Sequence, residues 1–243
     1  MTNYHDTRLY KSRWRSAVRM VLQRGFFRTL VRSTITQSVH ADPAVSRVKG
    51  AFVLVANHTS HLDAPMLMQG LPRKQARFLS TGVGRDYFFD VWYRRIFVRW
   101  MFNAFPIDRD GSKQNQGLSR ALLKDDVPIL VFPEATRQMT GTMATFKPGA
   151  AALAASIGIP VIPAALIGCF EAMPKGRSWP KPGRPSVGVV FGAPLHARDG
   201  EPVTEFSQRI QAAVQDLYHN NYERVMHSAD ASATAEQGKE NRS

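Results

Sequence analysis

A histidine and an aspartate five residues apart, His58 and Asp63, stand in the stretch Asn57-His58-Thr59-Ser60-His61-Leu62-Asp63. Imidazole is the side chain best matched to taking a proton near neutral pH. A carboxylate close behind it can fix the ring's tautomer and stabilise the imidazolium that forms. The pair reads as a general base that activates a hydroxyl. Other readings of the same residues stay open. Asp63 followed by Ala64-Pro65 is a good helix start, and Ser60-x-x-Asp63 has the form of a capping box; one carboxylate can serve both purposes. His58, His61 and Asp63 also invite a metal. Their spacing differs from the His-x-x-x-His of a zincin helix, no cysteine cluster exists, and no metal is expected. His61 is then a supporting or solvated neighbour of the base. Nucleophiles are scarce: Ser60 lacks a Gly-x-Ser-x-Gly frame, and Cys169, the only cysteine, reads as a buried residue at a strand end.

The elements that must hold this pair follow from the apolar pattern. Gly50–Ala56 is a continuous apolar run, the signature of a buried strand, so His58 and Asp63 fall where a strand ends. Further strands are expected at Ala76–Ser80, Ile129–Phe132, Val161–Leu166 and Val187–Phe191. Helices are expected at Asp86–Trp100, Lys113–Lys124, Gly149–Ile157 and Thr204–Asn220. The alternation predicts an α/β domain with a central, mostly parallel or mixed sheet flanked by helices. Ligands in such folds gather beyond the strand C-termini, where His58 lies. The loop Pro174–Pro185, rich in Pro, Gly, Lys and Arg, reads as a surface connection. Three parts are expected: residues 1–44 as an N-terminal basic amphipathic helical segment near the membrane, 45–225 as the main domain, and 226–243 as a disordered tail.

Thirty-two Lys and Arg against nineteen Asp and Glu give a formal charge of +13. Such a balance calls for an anionic partner: a membrane surface, a phosphorylated substrate or nucleic acid. A lone cysteine suits a reducing compartment. The first twenty residues carry no signal-peptide core, and no apolar run reaches the roughly 18 residues of a spanning helix. From Trp14 to Val39, apolar residues fall near helical spacing while arginines fill the remainder, a pattern that fits either a bilayer interface or packing on the domain. Arg85–Trp100 interleaves seven aromatics with four arginines, again suited to an interface. No nucleic-acid motif is present, so a nucleic-acid partner is not expected.

Beyond His58–Asp63, three further blocks follow in order: Phe105-Pro106-Ile107-Asp108-Arg109, Phe132-Pro133-Glu134-Ala135-Thr136-Arg137 and Pro160-Val161-Ile162-Pro163. With these four in view, the chain resembles the glycerolipid acyltransferases, the family of bacterial 1-acyl-glycerol-3-phosphate acyltransferase. The His-x4-Asp of residues 58–63 looks like the family's first motif, and Phe105-Pro106-Ile107-Asp108-Arg109 like its second. Phe132-Pro133-Glu134-Ala135-Thr136-Arg137 resembles the third, usually Phe-Pro-Glu-Gly-Thr-Arg, and Pro160-Val161-Ile162-Pro163 the fourth. Phe146-Lys147-Pro148-Gly149-Ala150 matches another common stretch. Four blocks in order, over about residues 45 to 195, make the resemblance specific.

The resemblance implies that His58 and Asp63 are catalytic and that Arg109, Glu134, Ala135, Thr136 and Arg137 bind the acyl acceptor, with Ser60, His61, Arg85 and Lys147 in support. Arg109, Arg137 and Lys147 would cradle a phosphomonoester; the plain alternative for Glu134 and Arg137 is a local ion pair. The implied reaction moves a fatty acyl group from acyl-CoA or an acyl carrier protein to a lysophospholipid hydroxyl, with no cofactor beyond that co-substrate. Backbone amides near the turn would receive the oxyanion, and Phe88, Phe89, Trp92 and Phe97 would line the acyl groove. The expected location is peripheral, on the cytoplasmic face of a bacterial inner membrane, against anionic lipid. Other acceptors (glycerol-3-phosphate, another lysolipid, a lyso-ornithine lipid) and a non-catalytic lipid-binding module are the alternatives. Two departures from the pattern stand out. Ala135 replaces a glycine, which threatens any φ > 0 conformation there, and Arg85 stands where a lysine is often found.

Overall fold

In the computed structural model, residues 6–84, 96, 99–107 and 113–227 are described. The chain begins with helix α1 (Arg13–Val21), a π-helical turn (Leu22–Phe27) and α2 (Arg28–Thr34), then strand β1 (Thr36–Ala41) and α3 (Pro43–Arg47). There follow β2 (Val53–Ala56), α4 (Asp63–Gly70), α5 (Arg73–Ala76), β3 (Ser80–Gly84) and β4 (Phe105–Ile107). The second half runs α6 (Lys113–Lys124), β5 (Ile129–Val131), α7 (Gly149–Ile157), β6 (Val161–Ile167), α8 (Cys169–Ala172), β7 (Ser186–Phe191) and α9 (Val203–Met226).

The strands form one mixed sheet in the order β1-β7-β6-β2-β5-β3-β4. β6, β2, β5, β3 and β4 are mutually parallel, and β7 reverses direction against β6. This is the α/β architecture expected from the alternation. Every residue of β2 is buried, because helices cover both sheet faces. Leu54 and Ala56 pack with Met66 and Leu67 of α4 on one face; Val53 and Val55 pack with α6, α7 and α9 on the other. The chain leaves β2 over one face and leaves β5 over the other. His58 follows the C-terminal end of β2, where ligands gather in such sheets.

The structure departs from the sequence reading at several places. The amphipathic helix ends at Thr34, and Thr36–Ala41 pairs along β7. The sheet thus takes a strand from inside residues 1–44, so that segment is not separate from the domain. Thr36-Gln-Ser-Val-His-Ala is a half-solvated edge strand without an apolar run, which hid it. The second strand is Ser80–Gly84, not Ala76–Ser80; Arg73–Ala76 makes a helical turn after Pro72 instead. Gly82 within it sits close under Ile107: a Cβ there would lie 3.1 Å from that side chain, which would have to shift. The last helix runs on to Met226. Most of the expected helix Asp86–Trp100, together with Arg85, Phe88, Phe89, Trp92, Phe97, Arg109 and the tail after His227, lies outside the described residues.

α1 and the π-helical turn are inverted relative to an ordinary surface helix, while α2 buries Val31 in the core. Their buried side is polar: Ser16 donates to the Arg77 carbonyl (2.8 Å), Arg24 to the Leu71 carbonyl (2.7 Å), and Gln23 to the Met101 carbonyl. Burial, and then Arg15, bring the Arg19 guanidinium down to about 10. Their outward side is apolar, with Trp14 60% and Val21 70% exposed.

Candidate active site

The loop between β2 and α4 is held on both sides before any ligand arrives. Asn57 exchanges two hydrogen bonds with Leu166 of β6: its side-chain amide donates to the carbonyl (2.9 Å) and its oxygen accepts from the N–H (2.8 Å). Ser60 Oγ donates to the Met173 carbonyl (2.7 Å). Between these clamps His58 Nδ1 meets Asp63 Oδ2 at 2.8 Å. The same oxygen accepts the N–H groups of Thr59 (2.7 Å) and Ser60 (2.8 Å). Asp63 orients the imidazole, and it closes the turn that leads into α4. The helix itself opens at Asp63 with Leu62 at its N-cap and no side-chain cap bond; Ser60 Oγ accepts from the Leu62 N–H (3.2 Å), not from that of Asp63, so the expected capping box is only half formed.

A fully buried carboxylate with three donors on one oxygen is a fixed point. The His58 ring also stacks on Phe132, with centroids 4.1 Å apart and planes at 15°. Carboxylate and stack together set the ring's plane and its tautomer. With Nδ1 committed to Asp63, Nε2 is the nitrogen left to exchange a proton. The ring lines a cavity of about 1120 Å³.

Glu134 is bonded within the chain. It is buried, and its two oxygens accept the backbone N–H groups of His58 (2.7 Å) and Ala144 (2.9 Å). Burial raises its carboxyl above the usual range, against the pull of those two amides. Glu134 thus ties the loop after β5 to the loop after β2, and it makes no ion pair with Arg137. Gln138 N–H donates to the His58 carbonyl (2.9 Å) and adds a second tie. The amides of His58, Thr59 and Ser60 are all spent inside the chain, so they do not supply the oxyanion donors expected of the turn.

Ala135 takes the left-handed conformation that its position requires, φ +65°. The methyl group does not exclude this geometry; it makes it costlier, by roughly 1–2 kcal/mol. Ala135, Thr136, Arg137 and Lys147 all line the cavity, as do Ser60 and His61. Desolvation at the cleft, followed by the Arg137 guanidinium, holds the His61 imidazole below its usual range, so it is a neutral neighbour of the base. Cys169 is buried, and burial followed by the Asp63 charge pushes its thiol well up. It stays protonated and is no nucleophile. Among the described residues no cluster of His, Cys, Asp and Glu is placed to hold a metal.

Sequence reasoning missed part of the wall. Phe27, Leu30 and Val31 of the N-terminal arm line the cavity, with Trp179 and Lys175 of the loop taken as a plain surface connection, and Arg120 of α6. No local signal marks these residues, which reach the site from elements far apart in sequence. The apolar spacing of the arm was visible, but not the cavity it borders.

Comparison with known proteins supplies the last observation. The sequence model of a family described as Acyltransferase matches residues 29–167. A 1-acyl-sn-glycerol-3-phosphate acyltransferase of Chlamydomonas reinhardtii is 34% identical over 149 residues, 58% of this chain and 42% of the relative. One from Pseudomonas aeruginosa is 36% identical over 100 residues, 39% of this chain and 36% of the relative. The matches span less than half the length of these two relatives. The crystal structure of a Thermotoga maritima protein titled 1-acyl-sn-glycerophosphate (LPA) acyltransferase, PlsC, superposes with a TM-score of 0.65 at 21% identity, covering 86% of this chain and 83% of that one. That likeness is one of fold.

Proposed function

Since the chain belongs to the acyltransferase family, we propose that it moves a fatty acyl group from a thioester, acyl-CoA or acyl carrier protein, to the free hydroxyl of a lysophospholipid. The first candidate acceptor is 1-acyl-glycerol-3-phosphate, giving phosphatidic acid. The observation that carries this is the 2.8 Å His58–Asp63 contact beside a cavity large enough for two ligands. His58 Nε2 takes the hydroxyl proton as that oxygen attacks the thioester carbonyl. The tetrahedral intermediate collapses, the carbon–sulfur bond breaks, and the imidazolium returns its proton to the departing thiolate. Asp63 stabilises the imidazolium throughout. Arg137 and Lys147 are the described cations placed to hold the acceptor's phosphate.

The reading also places the protein peripherally on an anionic membrane, the cytoplasmic face of a bacterial inner membrane. Trp14, Val21 and Leu22 point outward beside exposed Arg13, which suits headgroup depth. Among the described residues no helix is long and apolar enough to cross a membrane. The test is His58→Ala assayed for thiol release from acyl-CoA with lysophosphatidic acid, beside sedimentation with anionic vesicles. Transfer is expected to fall by about 10²–10⁴, while vesicle binding persists and weakens steeply with added salt. Full activity in that variant ends the proposal.

A further inference from the structure

The cavity wall holds four cations, Arg120, Arg137, Lys147 and Lys175, and among the described residues no aspartate or glutamate. None of the four has an ion-pair partner among the described residues. Arg137 and Lys147 belong to the acceptor side of the proposed reaction. Arg120 belongs to no motif, and the acceptor reading does not use it. It lies half-buried, seven residues into α6, a helix that packs beside α7.

The cavity has two arms, one over each sheet face. One arm, bordered by Phe27, Leu30 and Trp179, is apolar and lies on the α4 side. The other runs between α6 and α7, down to Ile129 and Val131 of β5. Its α7 edge is formed by Gly149, Ala152, Leu153 and Ser156, which recur at helical spacing and extend about 10 Å along the axis. Its α6 edge is Ser119 and Arg120. Small side chains on its α7 edge leave room between the two helices. Its floor is apolar, its margins carry hydroxyls, and a guanidinium stands at its side. A chain that carries amides, methyl groups and one phosphate matches that lining.

We infer that the slot between α6 and α7 receives the 4′-phosphopantetheine arm of the thioester donor, and that Arg120 binds its phosphate. This rests on the acyl-transfer reading above and gives its donor a place. The arm is common to coenzyme A and acyl carrier protein, so the site reads what the two donors share. A guanidinium can meet that phosphate with two parallel hydrogen bonds. The thioester then reaches His58 from one side of the sheet while the acyl chain continues into the apolar arm on the other.

The experiment is steady-state kinetics of the full chain with lysophosphatidic acid and three donors: palmitoyl-CoA, palmitoyl-acyl carrier protein, and palmitoyl-pantetheine, which lacks the phosphate. Wild-type rates with the first two identify the carrier. Transfer from neither overturns the acyl-transfer reading itself, and this inference with it. With the carrier that works, R120Q is expected to raise the donor KM about ten- to a hundredfold. The acceptor KM stays put, R120K recovers part of the loss, and the thermal midpoint is unchanged. On palmitoyl-pantetheine, R120Q and wild type perform alike. A rise in acceptor KM instead, an equal loss on palmitoyl-pantetheine, or an unchanged donor KM overturns the inference while leaving acyl transfer standing.

Discussion

Two sets of polar side chains lie at the same site, one beside the cavity and one along its wall, and they are treated in opposite ways. Asn57, His58, Ser60, Asp63 and Glu134 are bonded to one another or to the main chain at 2.7–2.9 Å. Arg120, Arg137, Lys147 and Lys175 line the same space with no ion-pair partner among the described residues. The first set is buried or nearly so, where an unbonded polar group costs about 1–3 kcal/mol. The second reaches water and bears its charge cheaply until an anion arrives. The difference separates groups that must already be in position when chemistry begins from groups whose partner is the ligand. Substitutions in the first set should act on kcat and stability; substitutions in the second should act on KM.

The largest effect expected from that contrast is at Asp63. In Asp63→Asn, the amides of Thr59 and Ser60 both require an oxygen where Oδ2 now lies. The asparagine therefore presents its carbonyl there, and His58 keeps its tautomer. What is lost is the charge facing the imidazolium. The expected fall in kcat is about 10², at the low end for such a pair, rather than the roughly 10⁴ that follows when the tautomer is reversed. KM for both substrates should hold. A fall near 10⁴ would show that the amides do not dictate the orientation.

Glu134 comes next. Glu134→Gln offers one oxygen to two amides, so either His58 N–H or Ala144 N–H loses its acceptor, at about 1–3 kcal/mol. Chemical denaturation should register that loss, together with a lower kcat from the loosened His58 loop. The wild type should also show a pH signature. The folded-state carboxyl is raised above the ordinary 4.5, so just above that pH the folded chain holds the extra proton. Stability then declines as pH rises through the window between the two values, and the glutamine variant lacks this decline. Loss of acceptor binding with unchanged stability would return Glu134 to the ligand-binding set.

How much of this was legible in the sequence depended on how locally each feature is encoded. His58 and Asp63 are close enough for one turn to bring them together, and the flanking apolar run fixed where that turn lies. Lys113–Lys124 and Gly149–Ile157 are helices with the expected bounds. β1 and β4 were not foreseen as strands, one for want of an apolar run and the other because three residues make no pattern. At Glu134 an acid beside arginines looks like part of a ligand site, while the partners the structure shows are backbone amides that no sequence displays. Arg120 and the arm lining the cavity were invisible for a related reason: the cavity is made by packing, and nothing near those residues in the chain announces it.

The smallest expected effect tests the boundary between the two sets. Ala135 lies in the loop that Glu134 anchors, immediately before Thr136 and Arg137, at φ +65°. Glycine relieves roughly 1–2 kcal/mol of backbone strain there and gives back part of it through a freer unfolded chain, about 0.4–1 kcal/mol. Ala135→Gly should therefore stabilise by about 0.5–1 kcal/mol, a rise in thermal midpoint of roughly 1–4 °C for a chain of this length. Since His58 and Asp63 are positioned without Ala135, kcat should not move. If the acceptor KM changes as well, the strained alanine is holding Arg137 in place, and that cation belongs partly to the preorganised set. If the variant is less stable, contacts of the methyl group outweigh the strain, and the left-handed conformation is enforced by the ties at Glu134 and Gln138 on either side.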